Sequence, residues 1–407
     1  MSKVLLSFPL LFFFYLTQAQ RPHDKKGGLI YTLGKDTTAI GDYELKGYHF
    51  SINVADLTEG VTVSRLEGTF FPNGELKAAA GNMYIPVPGK DSQVLFSYKL
   101  YYENDTTYIE MRRGNKVSTR KYPVKIMVAN SLGGYVLVYM PALLVNFAPG
   151  KNGDSLVSHH IVFNSARHFV IRKISDGHYS AGSTVMGIFH LSLDHKGDLR
   201  SIDGMGTSFN IIGTAVPLLN MDSVITANVG KEQLHPHAPI INKLDSVQTV
   251  IGDAVIKIRY SRPAVRGRVI YGAVVPYDRF WRTGADAATK LTLSEPIYFD
   301  GRELPAGEYS IFTLPSKNGW TMMFNKESTI WGTEYKPEND VLRVPMSTAA
   351  LPESVELLTI AIVRAAADKG ADKGADKGAA EAPDKGGRIE VSWEKLKASV
   401  AFTTSAQ

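Results

Sequence analysis

The sequence predicts an all-β protein, in which an antiparallel N-terminal β domain (an extended sheet or a half-barrel) is followed by a C-terminal antiparallel β-sandwich. Three observations support this fold class. Apolar and polar residues alternate with period two in many segments, turn dipeptides separate these segments, and amphipathic helical periodicity is scarce. Closure of the strands into a barrel remains open at this level.

Composition and charge favour an ordinary globular protein and narrow the choice of function. The 407 residues leave room for about two or three domains. The formal net charge is +5, and Lys and Arg are scattered without the basic cluster that nucleic-acid binding requires. We therefore expect no nucleic-acid partner. Because the chain contains no Cys, it has neither a disulfide framework nor a thiol nucleophile.

The first 19 residues have the pattern of a secretory signal peptide. Lys3 precedes an apolar run at residues 4–16, and small residues end at Ala19, where we expect cleavage. The run is shorter than the ~20 residues that span a bilayer, so no membrane span is expected in the mature chain. The mature protein, beginning at Gln20, is expected to be soluble and exported to the periplasm or the extracellular space.

Residues 20–225 are predicted to form the N-terminal antiparallel β domain. In QVLFSYKLYY, alternate apolar residues share one strand face, opposite Ser97 and Lys99. These residues are Val94, Phe96, Tyr98, Leu100 and Tyr102. In GIFHLSLDHKGDLRSI, Phe189, Leu191 and Leu193 alternate in the same way before a turn at residues 194–198, which indicates a hairpin.

The stretch YVLVYMPALLVNF, residues 135–147, is apolar throughout and is interrupted by Pro141. It is predicted to be a buried core element, either a helix or two strands. The alternative is that it lines a cavity for an apolar ligand. Its length is too short to cross a membrane.

Residues 226–250 are predicted to be a linker, because VGKEQLHPHAPIINKLDS combines Gly, Pro and polar residues without alternation. Within it, His235 and His237 would point the same way in an extended chain. Two imidazoles without a third ligand make an incomplete metal site. We therefore predict no metal, and no motif indicates a cofactor.

Residues 251–407 are predicted to form the C-terminal β-sandwich. The dipeptides Asp300-Gly301 and Asn318-Gly319 mark turns between β-rich segments. A low-complexity segment at residues 367–387 contains three Ala-Asp-Lys-Gly units and has no apolar face. The segments VELLTIAIV and RIEVSWEKLKASVAFT on either side read as strands, so the repeat is predicted to be an expanded hairpin loop.

The C-terminal domain resembles a known bacterial family. The segments YSRPAVRGRVIYGAVVPYDRFWRTGADAATKLTL, LPAGEYSIFTLP, WTMMFNK, DVLRV and VSWEKLKASVAF, within residues 253–404, are similar in order to domain of unknown function 2911. The usual WRTGAN of that family appears here with Asp286 in place of Asn. The resemblance implies an exported protein of Bacteroidetes or similar bacteria and no established activity. The N-terminal half looks like β regions that accompany this domain in relatives.

The stretch FWRTGADAATKL is the best candidate for a ligand site, because a turn before a strand needs neither a Trp nor an Arg. One interpretation is that Trp281 plugs the end of the sandwich and Arg282 pairs with Asp286 as an internal clamp. The other is that Arg282 and nearby cations face an anionic or sugar ligand, on which an aromatic ring stacks. The candidate ligand-binding residues are Trp281, Arg282, Asp286, Tyr277, Arg262, Arg266 and Arg268.

Motifs for catalysis are weak. The nucleophile elbow, the zinc-protease motif and the Walker loop are all missing from the sequence. His190, Ser192 and Asp194 would stand side by side on one strand and so cannot form a triad. Residues 204–213, GMGTSFNIIG, lack the strict spacing of a phosphate-binding loop. Trp320, at the start of WTMMF, is predicted to be a core residue.

The function that the sequence favours is a ligand-binding or scaffolding module of the periplasm or cell surface, with a small molecule or glycan as its partner. Two alternatives stay open. One is a hydrolase that acts on carbohydrate or another envelope substrate through a carboxylate pair, and the other is a carrier of an apolar ligand. The oligomeric state is not predicted.

Overall fold

The computed structural model describes residues 23–72, 76–126, 128–129, 155–162, 165–234, 242–365 and 386–406. Strands dominate these residues and form two sheets, one from the N-terminal half and one from the C-terminal third. The all-β fold class and its two successive antiparallel regions are therefore confirmed. The expected signal peptide, the apolar stretch at 135–147, the pair His235 and His237, and most of the Ala-Asp-Lys-Gly repeat lie outside the described residues.

The first sheet contains fifteen described strands. They are β1 (Lys25–Leu33), β2 (Asp36–Lys46), β3 (His49–Asp56), β4 (Thr62–Phe70), β5 (Leu76–Ile85), β6 (Gln93–Glu103), β7 (Thr106–Arg113), β8 (Lys116–Tyr122), β9 (Val128–Ala129), β10 (Ser155–Val162), β11 (Ser165–Ser175), β12 (His178–Ser183), β13 (Gly187–Leu193), β14 (Leu199–Asp203) and β15 (Ile212–Val216).

These strands form an up-and-down meander in which β1 is central. It pairs with β2 on one side and with β15 on the other, so that Leu29 lies between Gly41 and Ala215. Every described pair is antiparallel except β9 with β10, which is parallel. Among the described strands the order ends at β8 and β9, so the sheet is open and not closed into a barrel.

Period-two alternation places the N-terminal core as predicted. In β6, Phe96, Tyr98 and Leu100 are buried, whereas Val94, near the start of the strand, is exposed and Tyr102 is half-buried. The hairpin of β13 and β14 is confirmed. Its turn is organised by the Asp194 carboxylate, which accepts the amides of residues 196 and 198, both at 2.9 Å.

A helix, α1 (Met221–Leu234), follows the first sheet. Asn220 caps it, since its side-chain oxygen accepts the Ser223 amide at 3.0 Å. Met221 and Ile225 bury against residues of the β3–β4 region such as Ala55. The predicted linker at 226–250 therefore contains residues 226–234 of this helix and residues 243–250 of the next strand. The helical period is faint in the sequence because only this narrow stripe is buried.

The second sheet contains nine described strands. They are β16 (Lys243–Ile251), β17 (Ala254–Arg262), β18 (Thr289–Leu293), β19 (Ile297–Phe299), β20 (Arg302–Leu304), β21 (Gly307–Leu314), β22 (Trp320–Asn325), β23 (Asp340–Arg364) and β24 (Gly386–Thr403). A short 3₁₀ helix, η1 (Pro337–Asn339), precedes β23.

The long strand β23 connects the two layers of the sandwich. Residues 340–346 pair with β22, and residues 347–364 pair with β24. The second half of β23 lies over β17, where the Tyr260 hydroxyl accepts the Ile360 amide at 3.0 Å. Trp320 and Trp393 belong to the core between the layers, so the prediction that Trp320 is a core residue is confirmed.

Two predicted hairpins are also confirmed. Asp300 and Gly301 join β19 to β20 with φ of 50° and 72°, the left-handed pair that a type I′ turn requires. Strands β23 and β24 pair as far as Arg364 with Gly387, so the two segments that flank the Ala-Asp-Lys-Gly repeat do form one antiparallel hairpin.

Polar contacts join the two domains. The Arg266 guanidinium lies 2.7 Å from the Asp36 carboxylate, and the Trp331 indole donates to the Ser208 hydroxyl at 3.0 Å. The Thr333 hydroxyl donates to the carbonyl of Val185. Within the described residues, no helix has the length and apolar character needed to cross a membrane.

Candidate functional site

A cleft of about 750 Å³ lies between the two domains. Its N-terminal wall comes from the β12–β13 turn and from residues 206–210. Its C-terminal wall comes from residues 278–285, which include the predicted corner, and from the segment around Gly332 and Tyr335. The volume lies in the range of pockets that hold small organic ligands.

Trp281 forms part of the C-terminal wall and also belongs to the core, 9% exposed. Its backbone exchanges two hydrogen bonds with Thr313, both at 2.8 Å, and its indole donates to the Gly284 carbonyl at 3.0 Å. The ring stacks on Trp393 with a centroid distance of 5.9 Å. These contacts fix Trp281 at the floor of the corner, as the plug interpretation expects.

The corner holds two residues in left-handed backbone conformations, Thr283 with φ of 52° and Asp286 with φ of 60°. This conformation is unfavourable for the β-branched Thr283. Two buried contacts hold it: the Thr283 hydroxyl lies 3.2 Å from that of Thr313, and the Thr289 hydroxyl donates to the Thr283 carbonyl at 2.8 Å. Such strain persists where surrounding structure imposes it, and it is concentrated at functional sites.

Arg282 is the main finding at this site, because it is buried at 8% exposure and lines the cleft. Among the described residues its guanidinium has no hydrogen-bond or ion-pair partner, and Nε is fully buried. Burial lowers the pKa of Arg282, and the Asp286 charge partly opposes this shift. A buried guanidinium carries strong hydrogen-bond donors, and leaving them without an acceptor costs free energy.

Gly332 makes the space that Arg282 occupies. A Cβ placed on Gly332 would lie 1.8 Å from Cδ of Arg282 and 2.7 Å from the Asp286 carbonyl oxygen. The Gly332 amide also donates to that carbonyl at 3.0 Å. The aliphatic part of Arg282 therefore packs directly over a residue that has no side chain.

The clamp between Arg282 and Asp286 is not present in the structure. The Asp286 carboxylate instead accepts the Asn242 side-chain amide at 3.2 Å. The two charged groups interact only at longer range, because the left-handed turn at Asp286 directs its carboxylate toward Asn242, which also lines the cleft. Arg282 is thus oriented by packing and backbone geometry, without an internal ion pair.

Of the remaining predicted residues, Arg268 lines the cleft and the other three do not. Arg268 donates to the carbonyls of Val265 and Ala264, and burial lowers its pKa. Arg262 donates hydrogen bonds to the Asp245 carboxylate, the Thr359 hydroxyl and the Leu358 carbonyl. Arg266 pairs with Asp36 across the domains, and the half-buried Tyr277 lies under Lys317.

Several cleft residues were missed at the sequence level. On the C-terminal wall these include Arg279, which precedes the candidate stretch, and Phe280, which begins that stretch but was not among the candidate residues. On the N-terminal wall they include Ile188 and Phe209. Phe280 does not belong to an alternating strand pattern. Its position next to Trp281 was the one sequence signal for it. The N-terminal residues carry no signal, because they come from another domain.

The glycine-containing segment at residues 204–213 lines the cleft but offers no anion cradle. The Gly206 amide donates to Asn210 Oδ1, and the Phe209 and Asn210 amides donate to the Thr207 hydroxyl. The amides of residues 204, 205, 207 and 208 are bonded as well. A bound anion would find no free backbone donors in this part of the loop.

Two described histidines, His190 and His160, lie apart from the interdomain cleft. His190 is exposed, and Asp194 is engaged in its own turn and with Arg200. His160 is fully buried, and neither of its ring nitrogens has a hydrogen-bond partner among the described residues. Burial, Arg167 and His159 lower its pKa to about 4. Among the described residues no cluster of three or more metal-ligating side chains occurs.

Two shallower grooves, of about 530 and 470 Å³, lie on the outer face of the first sheet. They share Glu67 and Lys99, and charges of both signs surround them. Their charged residues lie on the solvent side of half-buried strands, where such alternation is expected. The interdomain cleft is therefore the better candidate site.

Comparison with known proteins finds a similarity over part of the chain. The family described as "Protein of unknown function (DUF2911)" matches residues 243–372. This match begins at β16, contains the whole corner from Trp281 to Asp286 and confirms the resemblance of the C-terminal third. No curated protein matches the chain.

Proposed function

We propose that the protein is an exported small-molecule-binding protein, and that an anionic ligand binds in the interdomain cleft with Arg282 as its anchor. The observation that carries this proposal is the buried Arg282 guanidinium, which has no acceptor among the described residues. A carboxylate, sulfonate or phosphate oxygen at this position would supply charge-assisted hydrogen bonds.

Energetics support an external partner for Arg282. Removing a charge from water costs several kcal/mol unless it is paired and hydrogen-bonded. Asp286 offsets some of this cost at a distance but satisfies none of the donors. The strained Thr283 and the missing side chain of Gly332 add to the constraint on Arg282. A bound anion explains why these features occur together.

The composition of the cleft favours binding over the hydrolase alternative. Among the described side chains that line it, Asp278 is the one carboxylate, whereas Arg268, Arg279 and Arg282 are cations. A glycosidase of the carboxylate-pair type needs a second acid across the substrate. The positive cleft is instead suited to retaining an anion.

Tryptophan fluorescence offers a direct test, because Trp281 and Trp393 both line the cleft. We would titrate the purified protein with benzoate and with sulfate, an organic and an inorganic anion. The proposal predicts a saturable signal for at least one of them, and loss of that signal in Arg282→Met. Arg259→Met is the matched control, since Arg259 is an exposed cation on β17 outside the cleft.

Two results would contradict the proposal. One is a titration in which neither anion gives a saturable signal, and the other is a signal that Arg282→Met leaves unchanged. The Met side chain preserves the length and packing of Arg282 over Gly332, so a folded variant is expected. Circular dichroism of both variants verifies this.

Export is tested separately by the intact mass of the protein from cell fractions of an expressing bacterium. We expect a chain that begins at Gln20 in the exported fraction. A full-length chain that stays in the cytoplasm would contradict this part of the proposal.

A further inference from the structure

We infer that the ligand is an organic monoanion with an apolar, ring-sized body, whose charged group meets Arg282 while its body lies between Ile188 and Phe280. This inference rests on the proposed function of the cleft and names the class of ligand. It excludes free inorganic anions as the intended ligand.

The first argument is the exposure of large apolar side chains within the cleft. Phe280 is 47% exposed and Ile188 is 46% exposed, although both lie in a recess between domains. One belongs to the C-terminal wall and the other to the N-terminal wall. Accessible apolar side chains on both walls of one concave site favour a ligand with an apolar group.

The second argument is that aromatic rings surround Phe280 and keep it in place. Its ring lies 4.3 Å from that of Tyr335, which lies 4.5 Å from that of Phe312. Phe312 is fully buried, so this row of rings extends from the core to the cleft. On the opposite wall the half-buried Phe209 packs against the buried Phe189 at 5.8 Å. Both walls therefore present rigid apolar surface.

A third observation concerns the number of buried guanidinium groups in the cleft that can still donate hydrogen bonds. Arg282 supplies one buried guanidinium that makes no hydrogen bond to any described residue, whereas Arg268 already donates to two carbonyls. Arg279 is exposed and has the acid Asp278 as its neighbour in the chain. One guanidinium with free donors can bind one anionic group directly. A polyanion such as a nucleoside triphosphate would bring further phosphate groups, for which the described lining offers no comparably buried and unbonded donor.

Size gives the fourth argument. The cleft encloses about 750 Å³, much more than an inorganic anion fills. Pockets of this size typically cover most of a drug-sized molecule with apolar side chains, and a few polar groups fix its orientation. Arg282 would be that orienting group here.

The test compares probes that differ in one feature. We would measure fluorescence binding of 8-anilinonaphthalene-1-sulfonate, an aromatic monoanion, and of N-phenyl-1-naphthylamine, which has the same rings without the sulfonate. Competition against the sulfonate probe gives the affinity of sulfate. We expect one sulfonate probe per protein, bound about tenfold or more tightly than either the neutral probe or sulfate.

Substitutions locate the binding. Arg282→Met and Phe280→Ser should each weaken the sulfonate probe about tenfold. Arg259→Met and Val269→Ser should not, since Val269 is an exposed apolar residue outside the cleft. These controls separate cleft binding from adsorption of the dye to exposed apolar surface.

The failures of the two proposals are distinguishable. The inference would be overturned if sulfate bound as tightly as the aromatic probe, and if binding were weakened by Arg282→Met but not by Phe280→Ser. The proposal of anion binding would then still stand. Equal binding of the neutral probe, unaffected by Arg282→Met, would overturn both and would favour a carrier of apolar ligands.

Discussion

Among single residues, the buried guanidinium of Arg282 in the interdomain cleft is the most informative. Arg282 is surrounded by Gly332, the Trp281 corner and the cleft, and the described residues give its guanidinium no acceptor. Nearby Arg262 and Arg266 show the contrasting arrangement, since both have acidic partners within 3 Å. This difference between the arginines is the reason why we propose Arg282 as the ligand-binding residue.

Arg282→Met should leave the ligand-free protein as stable as the parent or more stable. The variant removes a buried, unpaired charge and keeps the packing over Gly332, so the free energy of unfolding should stay level or rise by up to about 3 kcal/mol. Urea denaturation at neutral pH measures this. A loss of roughly 3–5 kcal/mol would show that Arg282 is paired in solution and would support the internal clamp.

The lowered pKa of His160 predicts how the free energy of unfolding depends on pH. Its pKa is lowered from the ordinary 6.5 to about 4 by burial and by Arg167 and His159, so the unfolded chain binds a proton more readily than the folded one. The contribution of neutral His160 to the free energy of unfolding should therefore be fully present above pH 6.5. It should be lost as the pH drops from 6.5 toward 4, by roughly 3 kcal/mol in total.

The measurement is the urea midpoint across that pH range, for the parent and for His160→Leu. The variant should lose this part of the pH dependence, whereas His190→Gln, at an exposed position, should keep it. Parallel pH curves for the parent and His160→Leu would show that His160 is hydrated in the folded protein.

Residue types alone pointed to the corner but not to the roles within it. The excess of a Trp and an Arg in a turn predicted a special site, and both residues do line the cleft. The same reasoning grouped four arginines as cleft residues, yet Arg262 and Arg266 point to structural partners. Proximity in sequence does not determine side-chain direction where the chain turns at every few residues, as it does between β17 and β18.

At the scale of elements, period-two alternation predicted strands well wherever one face is buried. Strand β6 is an example, since its central apolar residues are all buried. Helix α1 was missed because its buried side consists mainly of Met221 and Ile225, too short a stripe to give a visible period. Its Asn cap was present in the sequence and was the stronger signal.

Gly230→Ala in α1 should stabilise the protein by about 0.5–1 kcal/mol, since Ala restricts the unfolded chain and favours helix. A Cβ there meets nothing within 4 Å. The matched control is Gly301→Ala, where a Cβ also meets nothing within 4 Å but φ is +72°. That variant should lose about 1 kcal/mol or more, and the two melting temperatures should move in opposite directions.

Equal shifts at Gly230 and Gly301 would contradict this, because they would mean that backbone conformation does not decide the outcome. A fall in stability for Gly230→Ala alone would indicate that the exposed side of α1 is covered in solution.

Replacement of residues 368–385 by a short Gly-Ser linker should leave the sandwich folded. The hairpin is registered by the pair Arg364 with Gly387, and Gly386 already belongs to β24, so the excision ends before it. Apart from Pro383 the segment has no apolar residue larger than Ala, and a shorter loop costs less closure entropy. Differential scanning calorimetry should show a melting temperature within a few degrees of the parent, and a larger fall would show that the repeat packs on the body.

At the scale of the whole molecule, the candidate site exists because two domains meet. The sequence predicted two successive β regions, and the family match at residues 243–372 confirms the resemblance of the C-terminal third. It did not predict that the β12–β13 turn and residues 206–210 would face the corner at Trp281. These segments are far apart in the chain, and alternation shows which face of a strand is buried but not which distant loops come together.

We propose that Arg282 anchors an anion in the interdomain cleft, and a crystal structure of the protein with 8-anilinonaphthalene-1-sulfonate would show whether it does. We expect sulfonate oxygens about 2.7–3.2 Å from the guanidinium nitrogens of Arg282, with the rings between Ile188 and Phe280. A probe bound elsewhere on the surface, with none in the cleft around Arg282, would overturn this proposal.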